Sequence, residues 1–219
     1  MAGPAARAPH PTARGLLSWM QARPGRLPEL LAREAAGSDD LAPAGDPAVR
    51  AHLALVAEAL AANAAPAAAP ALERLARELP ARLARREADV DAQMGRVGEA
   101  HAFEVGLQFG EVAAGDPGIE PMLERRVRIA AWTRVFLGLL DEAREGRPPI
   151  ADDVLAWMNE RQTQLADTIF AMDRRAKQIE IDRGGPDAVA GPETVNRIGQ
   201  AATLQAHTRF LVEALAEHL

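Results

Sequence analysis

The residues of this chain best suited to chemistry stand together in one stretch. Between Ala100 and Val112 the sequence is apolar on nearly every side of a helix, and His101, Glu104, Gln108 and Glu111 interrupt it. His101 and Glu104 are three apart and therefore share a helix face, where an imidazole and a carboxylate could ligate a metal. Di-iron bundles use two Glu-x-x-His elements plus two further Glu. Here the order is reversed and occurs once, and Glu99 and His101 are spaced so that their side chains point apart. The pattern is not met, and the sequence assigns no metal, no cofactor and no catalytic residue.

The same four residues read better as a buried polar set. His101 and Gln108 would bond across a helical core, and Glu104 or Glu111 would pair with an arginine of a facing helix. Arg125, Arg126, Arg128 and Arg134 are available for that role. Buried polar groups need partners, and such networks can fix which helices pair even where they add little stability.

Other chemistry finds less support. His10 and His52 lie in the N-terminal region, His207 stands beside Thr208, and His218 is near the C-terminus, where a cation favours the helix dipole. The serines are Ser18 and Ser38 alone, neither in a Gly-x-Ser-x-Gly turn. No phosphate-cradling glycine loop occurs; Gly184-Gly185-Pro186 is a turn. Asp39-Asp40 and Asp152-Asp153 read as caps or solvated pairs. Arg82, Arg85 and Arg86 are balanced by Glu78, Glu87, Asp89 and Asp91, as on a solvated helix face. The chain has no cysteine, which excludes disulfides, thiolate metal sites and cysteine nucleophiles.

The helix that carries the polar set, Ala81 to Ala114, also carries a stripe of small residues: Gly95, Gly98, Ala102, Gly106, Gly110 and Ala113. Each interior glycine costs about 1 kcal/mol relative to alanine. Four on one side require a packing reason, namely the close approach of another helix, from this chain or from a second copy. This helix is expected to be the centre of the molecule.

Composition points to an all-α protein. Hydrophobic residues make up 48% of the chain but aromatics only 4%, and tyrosine is absent, so the apolar material is mainly Ala, Leu and Val. Ala and Leu with abundant Arg and Glu favour helix. The net charge of −6 argues against a general nucleic-acid binder. The Ala, Arg, Gly and Pro bias suits a GC-rich, bacterial genome. Gly15 to Met20 is too short and polar for a signal segment. The most apolar run, Ile129 to Leu140, falls short of the ~18 residues of a span and contains Thr133 and Arg134. A cytoplasmic protein without a membrane span is expected.

In chain order, residues 1–14 read as a disordered tail and 15–63 as short N-terminal helices that patch the core or dock elsewhere as an arm. Pro24-Gly25 separates the first two of these helices, and Asp46-Pro47 is a cap-and-first-position start for the third. The Ala/Pro stretch 64–70 reads as a linker. Residues 71–219 then hold four long helical segments: 71–114, interrupted at Pro80; 117–145, apolar almost all round between Val127 and Leu140; 150–181; and 193–219. The third is the most clearly amphipathic, with Val154, Trp157, Met158, Leu165, Ile169 and Ile179 on one face and Arg161 as a polar interruption. The last carries Ile198, Ala201, Leu204, Leu211 and Leu215 along its seam. The simplest packing is an up-down-up-down bundle.

Three functional readings follow. The first is a non-catalytic helical interaction protein: an adaptor, an accessory or chaperone-like factor, or a component of an assembly, with a protein partner or self-association. The second is a ferritin-like or haem-binding bundle that uses His101 and Glu104. The third is a small-molecule sensor with an apolar pocket between helices. No helix-turn-helix with a basic recognition helix accompanies it.

Overall fold

The most enclosed helix of the computed structural model, which describes residues 11–36, 47–86, 88–90, 120–184 and 192–219, is Pro47–Ala62. From Val49 to Leu60 every residue except Glu58 is buried. Ala51, Ala54, Ala57 and Ala59 put small side chains on several sides of this helix, so neighbouring helices can approach closely, while Leu53, Val56 and Leu60 fill the space between them. A helix that is apolar all round is stable only when surrounded.

Helices described from end to end are α1 (Ala13–Gln21), α2 (Arg26–Ala36), α3 (Pro47–Ala62), α4 (Ala69–Ala84), α5 (Glu120–Ala143), α6 (Ala151–Glu160), α7 (Gln162–Gly184) and α8 (Pro192–His218), and residues 88–90 are helical as well. The described residues contain no strand, and the all-α class expected from composition holds. Helix 81–114 was expected to be the centre of the molecule. Residues 91–119, including the small-residue stripe and the polar set, lie outside the described residues. Among those described, the hub is α3, which packs on α1, α2, α4, α5 and α8.

Several local signals act as the sequence indicates. Thr12 caps α1 by accepting a hydrogen bond from Gly15 N at 3.0 Å, so residues 12–14, expected in the tail, belong to a capped helix start. Pro24-Gly25 separates α1 from α2, and Pro47 opens α3. Gly146 takes the turn after α5 with φ +80°, a conformation that favours glycine. The Asp141 carboxylate accepts from Ile150 N at 2.9 Å and from Ala151 N at 3.1 Å, so α5 caps the start of α6 from outside.

Four expectations are corrected. The Ala64–Pro70 stretch is a tight turn rather than a spacer: Ala68 N donates to Ala65 O at 2.8 Å, and α3 and α4 pack along each other. Leu72, Leu75, Leu79 and Leu83 of α4 join one core cluster with Leu16, Leu30 and Leu60. Each fully buried leucine there contributes about 1.5–3 kcal/mol. Second, α4 passes through Pro80 and ends at Ala84. Third, α5 keeps one solvent side, where Arg134 and Gly138 are exposed, and buries Trp132, Phe136, Leu137 and Leu140 on the other. Fourth, segment 150–181 is two helices, broken at Arg161 (φ −110°, ψ 20°). On α8, Ala202 rather than Ala201 faces inward.

Candidate functional site

The break at Arg161 divides a helix anchored in the core from one that leaves it. Arg161 N–H bonds to Asn159 O and Met158 O, which deprives Trp157 O of its usual donor four residues on. The guanidinium of Arg161 supplies one instead, from Nη1 at 3.1 Å, and sits over the Trp157 ring at 4.0 Å from its centroid. Trp157 in turn donates from Nε1 to Glu217 at 3.2 Å and meets Phe210 edge-on at 6.2 Å. Both partners lie on α8, so this knot ties the α6–α7 junction to the last helix.

Beyond the knot, α7 pairs with α8, the one helix against which it makes an extended contact among the described residues. Leu165 and Ile169 are buried, but no residue of α7 after Ile169 is. Among the described side chains of α8 the first that is buried is Ala202. Met172 is half-buried and still packs against the core cluster, so residues 173–184 and 192–201 form the outer part of the helical hairpin. Large hydrophobics stand in solvent along α7: Phe170 is 59% exposed, Ile179 43% and Ile181 40%. Ile179 was expected on the buried face; it lies along the α7 stripe but past the point where α8 and the core cover it.

The ionic contacts elsewhere are structural. Arg50 Nε donates to Glu34 at 2.9 Å with both side chains buried, and its guanidinium approaches the ring of fully buried Trp132 at 5.9 Å. Arg26 makes a two-pronged pair with Glu58 at 2.8 and 2.6 Å and a third bond to Glu29. The Glu58 carboxylate, and Glu29 after it, hold that guanidinium above its ordinary range. Burial lowers the Arg144 guanidinium despite the nearby Asp141.

A shallow groove of about 410 Å³ between α4 and α5 is lined by Glu78, Arg82, Arg85, Arg86, Leu139 and Glu142. Apart from Arg85, which donates from Nε to Ala81 O at 3.0 Å, its charges meet one another. Arg82 bridges Glu78 at 2.8 Å and Glu142 at 3.8 Å, and Arg86 reaches Glu142 at 3.4 Å. Arg86 also donates to the Asp89 carboxylate at 3.0 Å, which holds its guanidinium above its ordinary range. This is an ion-paired seam between two helices, consistent with the solvated face read from the sequence.

The site residues expected from sequence, His101, Glu104, Gln108 and Glu111 with the small-residue stripe, lie outside the described residues. The described histidines serve the backbone. Nδ1 of His52, His207 and His218 donates to the carbonyl four residues earlier, Ala48, Thr203 and Ala214, at 2.8–2.9 Å. No group of three metal-ligating side chains occurs among the described residues. Arg161 and Phe170 were not singled out as a site. The signal for Phe170 was present, because at 3.6 residues per turn it falls well off the face of Leu165 and Ile169. No family model, no curated protein and no solved structure matches the chain.

Proposed function

We propose that the chain is a non-catalytic helical interaction protein, an adaptor, accessory factor or component of a larger assembly, that binds through the exposed side of α7 in the α7–α8 hairpin. The carrying observation is the exposure of Phe170 on the side of α7 turned away from Leu165, Ile169 and Met172. Large aromatics contribute strongly to interfaces because they bury much area at small entropic cost. The packing of four long segments of residues 71–219 as an up-down-up-down bundle, with α1–α3 added to it, belongs to the same reading. Its support is the short turn at Gly146 between α5 and α6 and the extended contact of α7 with α8.

The test is a photoreactive phenylalanine analogue placed at position 170 of the full chain in the cells that make it. A discrete cross-linked product is expected from position 170 and none from position 138, which is exposed on α5. No product at 170, or the same products at both positions, would overturn the reading. A co-purifying metal or a haem absorption band, lost in His101→Ala and Glu104→Ala, would instead favour the ferritin-like or haem-binding alternative.

A further inference from the structure

The outermost face of α7 has a symmetric pattern of residues. At about 100° per residue, Asp167, Phe170, Arg174 and Ile181 fall within an arc of about 60°. That arc lies roughly opposite Leu165 and Ile169, the two residues that α7 buries. Thr168 is half-buried, but Thr163, Asp167, Phe170, Ala171, Arg174, Gln178 and Ile181 are all exposed. The face is thus open along most of the helix.

Among the described residues, no ion pair or hydrogen bond engages the side chains of Asp167 and Arg174, whereas their neighbour Lys177 is bonded to Asp173 at 2.6 Å. Seven residues separate them, about 10 Å along the axis, so they do not pair with each other within the helix. They stand at equal distances on either side of the midpoint between Phe170 and Ala171. An antiparallel copy of α7, related by a two-fold axis through that midpoint, would put Asp167 opposite Arg174 of the partner and Arg174 opposite its Asp167. It would also seat each Phe170 ring against the small Ala171 of the other chain.

We infer that the occupant of this face is a second copy of the chain, paired through α7 in antiparallel fashion. The inference rests on the reading of the hairpin as a binding surface and names its partner. An isologous contact of this kind is self-complementary and closes at two copies. Full overlap about the midpoint spans residues 162–179, about 27 Å of helix. One helix pair of that length falls in the small class of interfaces, so the dimer is weak, reversible and sensitive to salt.

Sedimentation equilibrium of the full chain tests it. The wild type should pass from 23.4 kDa toward twice that mass as concentration rises from about 10 µM to 1 mM. Asp167→Arg and Arg174→Asp should each weaken association at least tenfold, since each turns both cross-helix pairs into like-charge contacts. An equimolar mixture of the two variants should associate again, because a chain with two cations on this face then meets a chain with two anions. Recovery in the mixture also shows that both variants are folded. A wild type that stays monomeric throughout overturns the inference, as do variants that associate like the wild type or a mixture that stays monomeric. A monomer that still cross-links from position 170 to another protein overturns the self-pairing while the binding role of the hairpin stands.

Discussion

Arg161 covers the Trp157 ring at 4.0 Å and hydrogen-bonds the carbonyl of that same residue at 3.1 Å. One side chain therefore closes the helix it follows and shields the aromatic that ties the junction to α8. The break between α6 and α7 is a built feature, since the carbonyl it frees has a charged donor in place. Arg161→Ala should lower stability to urea by about 1–2 kcal/mol, through loss of a charged hydrogen bond and a partly exposed cation–π contact. Arg161→Lys should fall in between, because an ammonium keeps the charge but not the planar stack. An alanine variant as stable as the wild type would mean that the contact is incidental.

Arg50 and Glu34 form the most deeply buried ion pair described, with side-chain exposures of 8% and 6%. Removal of Glu34 takes a close, buried carboxylate from the Arg50 guanidinium. Glu34→Ala should cost about 1–3 kcal/mol, measured by equilibrium denaturation. Joint replacement by apolar residues of similar size, Glu34→Leu with Arg50→Met, should recover most of that loss. Equal losses in the single and double variants would show that the packing of the two stems matters more than their charges.

A chain that starts at Ala71 should fail to unfold cooperatively. It lacks α3, which is enclosed along nearly its whole length and packs on α4, α5 and α8. Circular dichroism of such a fragment should show helix with a broad, shallow melting transition. A sharp transition would mean that residues 71–219 hold a core of their own.

Much of the helical framework was legible in the sequence, and the reasons are local. Thr12 excepted, the breaks at Pro24-Gly25, Pro47 and Gly146 are governed by backbone constraints that act within a few residues. What could not be read was rank among the helices. Residues 49–60 are rich in alanine, which fits a surface helix and a tightly enclosed one alike, and only the surrounding helices decide between them. In 150–181 the apolar residues keep one period on both sides of Arg161, and a single polar residue on that face does not by itself signal a break. The exposed Phe170 was visible as an off-face residue, yet the length of α7 that lies beyond the core depends on where α8 begins to be buried, a long-range property. The polar set around His101 stays an expectation from spacing, outside the described residues.

If Phe170 is present for binding, it can be replaced without cost to folding. The measurement is the urea unfolding free energy of Phe170→Ser at submicromolar concentration, where weak association does not contribute, beside Leu165→Ser on the buried side of the same helix. Phe170→Ser should lie within about 0.5 kcal/mol of the wild type, as exposed substitutions do. Leu165→Ser should lose several kcal/mol, at least the ~2–5 kcal/mol of a leucine truncated in a core. A loss of about 2 kcal/mol or more in Phe170→Ser would make that ring part of the fold and contradict its assignment to a binding surface.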